Sequence, residues 1–115
     1  MKVLETQALF ETMWFYKEGA ERPTGMRESD NKFIVYFTAS WCKACKNLNL
    51  EFLEGVAKEK DIPLWICSES VNTYTTGYCG VRQLPTFMLM SPKTIHATCV
   101  PLTTGEAASW IQTNA

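Results

Sequence analysis

The sequence predicts an α/β domain in which a mixed β-sheet carries helices on both faces. Two apolar runs lead there first: Phe33–Ala39 ("FIVYFTA") and Ile62–Cys67 ("IPLWIC") lack the alternation of a half-exposed strand. They read as interior strands covered from both sides. The segment between them has helical apolar spacing, so the two strands are expected to be parallel neighbours joined by a crossover helix. Further on, Thr86–Met90 and Ile95–Val100 flank the turn-like "SPKT", which suits an antiparallel hairpin. Alternating strands and helices that end in a hairpin give a sheet of mixed direction.

The bulk properties set the frame. At 115 residues and 13.1 kDa the chain is read as one domain, residues 1–115. A chain of that size removes roughly two-thirds of its unfolded surface from water and needs no staples. Eleven basic and twelve acidic side chains nearly cancel, and no basic stripe is interleaved with aromatics. Nucleic acid and an anionic membrane are therefore not expected as partners. The opening "MKVLETQALF" lacks the apolar core of a secretory signal, and no run approaches the length of a membrane span. The expectation is a cytoplasmic protein. Five cysteines, an odd number, fit poorly with a secreted disulfide scaffold. In a reducing compartment a close pair would be catalytic or metal-binding.

In chain order, Leu9, Phe10, Met13 and Trp14 mark a first helix within Glu5–Lys17. Glu21–Asn31 is polar, contains Pro23 and Gly25, and reads as a loop. After the first strand a helix is expected from near Cys42 to about Lys60, with Leu48, Phe52 and Val56 along its buried face. Pro63 opens the next strand, where a missing N–H does least harm. Val71–Cys79 is expected as a short helix stopped by Gly80. Thr103 and Glu106 have the spacing of a capping box, which opens a last helix through Ala108, Trp110 and Ile111.

The chemistry concentrates in Thr38–Lys46, "TASWCKACK". Two thiols spaced as Cys42 and Cys45 can share a metal, close a disulfide or be accidental neighbours. A zinc site usually shows two tight pairs, whereas Cys67, Cys79, Cys99 and the single histidine, His96, are scattered. In the redox reading, Cys42 sits where a strand gives way to the first turn of a helix. Unpaired amides and the helix dipole there favour the thiolate, and Lys43 and Lys46 add positive potential. Cys42 would attack a target disulfide and Cys45, one turn further and less exposed, would resolve the mixed disulfide.

"VYFTASWCKACKNL", followed downstream by "YCGVRQLPTFMLM", resembles the thioredoxin family over most of the chain. The resemblance rests on the combination of a buried strand, Trp41-Cys42-x-x-Cys45 and Gly80-Val81-Arg82-x-Leu84-Pro85-Thr86. It implies the thioredoxin fold, a central mixed sheet of four to five strands flanked by about four α-helices. A cis Pro85 facing the cysteines is implied too, with substrate bound against Trp41, Leu84 and Pro85 and with Val100 and Pro101 on the rim. The activity implied is reduction of disulfides on protein substrates by a monomer. Its electrons would come from a reductase or a small thiol, with no cofactor beyond the redox-active pair. A disulfide oxidase or isomerase on the same fold, or a binding subunit with incidental thiols, remains open.

The pattern is broken in places. Lys43-Ala44 replaces the Gly-Pro usual in thioredoxins, which leaves the potential open and a bridged iron–sulfur cluster conceivable. Tyr36 stands where a buried aspartate helps deprotonate the second cysteine, and a phenol titrating near 10 cannot serve as a base at neutral pH. Resolution by Cys45 is therefore expected to be slow. Leu50 lies near the family's mid-helix proline, so a straighter helix is expected. The 21–31 loop looks longer than usual and reads as surface. Cys79 is a candidate second redox-sensitive thiol, Cys67 and Cys99 are read as small hydrophobes, and His96 is given no role.

Overall fold

A computed structural model describes residues 2–115. Its elements in order are β1 (Lys2–Val3), α1 (Gln7–Trp14), β2 (Phe33–Thr38), a 3-10 turn (Ala44–Asn47), α2 (Leu50–Glu59), β3 (Leu64–Ser68), α3 (Thr73–Tyr78), β4 (Thr86–Ser91), β5 (Thr94–Cys99) and α4 (Thr104–Asn114). The sheet runs β1-β3-β2-β4-β5, with β1, β3 and β2 parallel and β4 and β5 antiparallel to their neighbours. The mixed sheet and the parallel β2–β3 pair are as expected. The two-residue β1 was not anticipated, being too short to carry a periodic signal.

Strand periodicity sorts the core into two layers. Ile34 and Tyr36 of β2, Leu64 of β3, and Phe87 and Leu89 of β4 face α2 and α4, meeting Leu53, Val56, Ala57, Ala107 and Ile111. Phe33, Val35, Phe37, Trp65, Cys67, Met88 and Met90 face the other way, onto Phe10 and Met13 of α1. This explains why β2 and β3 read as apolar runs without alternation: both their faces are covered.

Local chemistry sets the ends. Thr6 caps α1 by accepting from the Leu9 amide at 3.1 Å. Gly80, at φ +72, follows α3 as expected. Pro92-Lys93 closes the hairpin between Ser91 and Thr94, with Lys93 at φ +60. The α4 capping box forms with one change: Thr103 Oγ1 accepts from the Glu106 amide at 3.1 Å, but Glu106 Oε2 accepts from Leu102 N at 3.0 Å.

The 21–31 loop is built into the fold. Trp65 Nε1 donates to the Gly25 carbonyl at 2.9 Å, Arg22 donates to Met26 O and Asn31 Oδ1, and Arg27 donates to the Lys60 carbonyl. Gly25 has φ +99 and lies so close over the Trp65 ring that a Cβ would collide with it.

One expectation is corrected. The helix predicted from Cys42 to Lys60 is two pieces, and α2 starts only at Leu50. Leu48 leaves helical space at φ −90, ψ 133, and Asn49 caps the new helix by accepting from Phe52 N at 3.1 Å. The segment is therefore broken without a proline, not straightened. Resetting the phase turns Phe52 out to 53% exposure and leaves Leu53, Val56 and Ala57 as the buried face.

Candidate functional site

The chain leaves β2 at Thr38 on the edge of the sheet where β4 begins. Phe37 is registered against Thr86, so Pro85 lies beside the end of β2. The Leu84–Pro85 peptide is cis, as the resemblance implied, and Pro85 is buried. Leu84 is half-buried and packs against both core layers, including the one that contains Cys42 and Cys45. Continuing the β4–β5 register, in which Phe87 faces Cys99, carries Val100 and Pro101 alongside Thr86 and Pro85. Pro85 and the end of β5 thus lie at the same end of the sheet, while Trp41 is presented separately on the turn after β2.

Cys42 and Cys45 are joined as a disulfide, with Cα atoms 5.4 Å apart. The Cys45 amide donates to Cys42 Sγ at 3.1 Å. That donor would hold a thiolate at Cys42 by a charge-assisted hydrogen bond once the bridge is reduced. Both residues are buried, Cys42 at 4% and Cys45 at 7% exposure, so Cys45 is not the less exposed of the two. Nor does Cys42 open a long helix. Lys43 has helical dihedrals and Ala44–Asn47 forms a 3-10 turn, so the amides at Cys42 belong to a short turn ahead of α2. Lys43 and Lys46 are exposed on that turn.

Trp41 stands out at 67% exposure, with its indole N–H donating to Glu69 Oε2 at 3.2 Å. Beside it, Ser40 N donates to Ser70 Oγ at 3.1 Å and the two hydroxyls share a 3.0 Å bond. The Glu69 amide also donates to the Thr38 carbonyl at 2.7 Å. The 68–70 loop therefore braces the turn that presents Trp41. Glu69 and Ser70 were missed from sequence because no spacing connects them to the cysteines; only the parallel β2–β3 pairing does.

Tyr36 is 1% exposed, stacks on Phe87 at 4.8 Å between centroids, and shares a core layer with both cysteines. Burial pushes its phenol up, opposed by a hydrogen bond with the Thr38 side chain. It is a packed, neutral tyrosine.

The other thiols are poorly placed for redox work. Cys67 is fully buried, with Thr76 Oγ1 at 3.6 Å from its sulfur, and burial raises its pKa. Cys79, at the end of α3, is pushed up to about 12 by burial and then by Cys67, so little thiolate exists at neutral pH. Cys99 is raised by burial and by Glu106. His96 is exposed and shares a 2.6 Å hydrogen bond with Ser91 Oγ. Among the described residues no group of three or more His, Cys, Asp or Glu could hold a metal ion, and no helix is long and apolar enough to cross a membrane.

Comparison with known proteins follows the same lines. The family model described as Thioredoxin matches residues 12–112. No curated protein matches the sequence. Thioredoxin from Plasmodium falciparum superposes with a TM-score of 0.76 at 19% identity, covering 100% of both chains. The Trypanosoma brucei brucei thioredoxin gives 0.70 at 18% identity, over 96% of this chain and 87% of the other. Thioredoxin O2 of Arabidopsis thaliana, in its oxidized state, gives 0.71 at 17% identity, over 98% and 92%. At such identities the structural likeness speaks for the fold.

Proposed function

The chain belongs to the thioredoxin family and is a thiol–disulfide oxidoreductase, and from that premise we propose that it reduces disulfides on protein substrates through Cys42 and Cys45. The observation that carries this reading is the Cys42–Cys45 bridge with the Cys45 amide on the Cys42 sulfur, in the core layer against which Leu84 packs.

The cycle starts from the dithiol. The Cys42 thiolate attacks one sulfur of a target disulfide; that S–S bond breaks, a Cys42–target bond forms, and the other target sulfur leaves with the electron pair and takes a proton. Cys45 then loses its proton and attacks Cys42 Sγ. The second target sulfur departs as a thiol, and the Cys42–Cys45 disulfide is restored. Two electrons have passed to the substrate. A disulfide reductase or a small thiol returns them, so the two sulfurs suffice and no bound cofactor is required.

Trp41, Leu84 and Pro85 would seat the polypeptide that carries the target disulfide, and Lys43 would bias Cys42 toward its thiolate. Tyr36 offers Cys45 no base, which makes resolution the slow step. We further take the protein to act as a monomer in the cytoplasm, without nucleic acid or membrane as partners.

The test is a disulfide-reduction assay with the wild type, Cys42→Ser and Cys45→Ser, driven first by a chemical dithiol and then by a reductase. Cys42→Ser should be inert, while Cys45→Ser should accumulate a mixed disulfide on Cys42. Retention of full turnover by either variant rules the mechanism out.

A further inference from the structure

The break at Leu48–Asn49 is made by two contacts to Asn49. Its side-chain oxygen accepts from Phe52 N at 3.1 Å, which starts α2 afresh, and its own amide donates to Thr104 Oγ1 at 3.0 Å. Within an unbroken helix that amide would instead bond the carbonyl of Cys45, which here accepts from Leu48 N at 3.2 Å. Thr104 is the first residue of α4, which follows β5 in the chain. The turn bearing both cysteines is thus suspended between β2 and the head of α4, cut off from the helical hydrogen-bond ladder behind it.

We propose that Asn49 and Thr104 are positioning residues that stop the helix short of the cysteines and thereby make the Cys42–Cys45 couple more reducing. The positive end of a helix dipole acts mainly within its first turn. Here that turn is Leu50–Leu53, so Cys42 receives only the amides of its own short turn, chiefly Cys45 N–H. A dithiol whose thiolate is less stabilised gives up its electrons more readily, and its disulfide is the weaker oxidant. This inference rests on the reductant reading of the site and supplies a reason for the direction.

Thr104→Val with Asn49→Ala removes both contacts and lets 43–59 join into one helix. Two readouts apply: the Cys42 pKa, from the pH dependence of its alkylation in the reduced protein resolved by peptide mass spectrometry, and the dithiol–disulfide equilibrium against a reference dithiol. The double variant should lower the Cys42 pKa by about half a unit and shift the equilibrium about threefold toward the dithiol. Asn49→Ser, which keeps a capping oxygen, should match the wild type. The Cys45 thiol, Lys43 and Lys46 on the turn, Tyr36 on β2, Glu69 after β3, Cys99 on β5 and Glu106 on α4 are titratable groups that the variants leave unaltered. Should the double variant fail to fold, Asn49→Ala alone carries the test in the same direction.

Wild-type values in a variant whose helix has become continuous by hydrogen exchange overturn the proposal. So does a break that persists in the double variant, or a loss of thermal stability with neither value moved. The alkylation pKa is read without any substrate. An inactive wild type would therefore refute the reductant reading, while an unmoved pKa would refute the role given to Asn49.

Discussion

Replacing Tyr36 by phenylalanine and, separately, by aspartate distinguishes a structural tyrosine from one that takes part in proton transfer. The ring is 1% exposed and stacked on Phe87 at 4.8 Å, and the hydroxyl has the Thr38 side chain as a partner. Tyr36→Phe removes one neutral hydrogen bond and keeps the ring, a loss of about 1 kcal/mol. Resolution of the mixed disulfide by Cys45 should not change, because a phenol held above its ordinary pKa accepts no proton at neutral pH. Tyr36→Asp removes the ring from a packed layer, about 3–5 kcal/mol, and lowers the melting midpoint by roughly 12–20 °C. Its carboxyl, taken out of water among apolar side chains, titrates above the usual carboxylate range and can act as a base near neutral pH. Resolution should then speed up by about 10²-fold, at the low end of general-base assistance. The assay is single-turnover release of a target from preformed mixed disulfide, quenched in acid and read by mass spectrometry well below the lowered midpoint. A tenfold slower release in Tyr36→Phe, or no acceleration in folded Tyr36→Asp, would falsify the assignment of Tyr36 as a bystander in the place of a base.

Three further outcomes are expected. Trp41→Ala should leave stability within about 0.5 kcal/mol, since the side chain is 67% exposed; KM for protein disulfides should rise about tenfold while a small aromatic disulfide is reduced at the same rate, and parallel losses on both substrates would refute a docking role. Gly25→Ala should lose about 2–3 kcal/mol in urea unfolding, because φ +99 strains the new residue and its Cβ meets the Trp65 ring; a neutral result would mean the 21–31 loop is not pinned. The Cys79 thiol is raised from 9.0 to about 12, so the folded state holds this proton more tightly than the unfolded state. Its contribution to stability is whole below pH 9 and drains away as pH climbs toward 12; Cys79→Ala should flatten that alkaline fall, and an unchanged slope in pH-dependent melts would dismiss the linkage.

The elements most legible in the sequence were those whose signal is local. Phe33–Ala39 and Ile62–Cys67 announced interior strands because side chains on both faces had to be apolar, and the structure packs β2 and β3 into both core layers. Thr103 and Glu106 announced the start of α4 because a cap needs only its own first turn. The cysteine pair was equally plain, since closing a bridge over that spacing needs only the local turn. The failure at Leu48–Asn49 is informative. A repeat of Leu48, Phe52 and Val56 suggested one continuous helix, whereas Asn49 caps a new one. What completes the break is a hydrogen bond to Thr104, fifty-five residues away in sequence.

By itself, then, the sequence determined the order of strands and helices after β1, the spacing of two thiols that can close a bridge, and the absence of a carboxylate at position 36. These depend on side-chain type and on spacing within a few residues. Only the tertiary structure decided that Glu69 and Ser70 brace Trp41, that Phe37 at the end of β2 faces Thr86 next to Pro85, and that α2 halts before reaching the cysteines. Each of these is a contact between segments brought together by sheet pairing or helix docking, and a linear pattern carries no record of which distant atoms will meet.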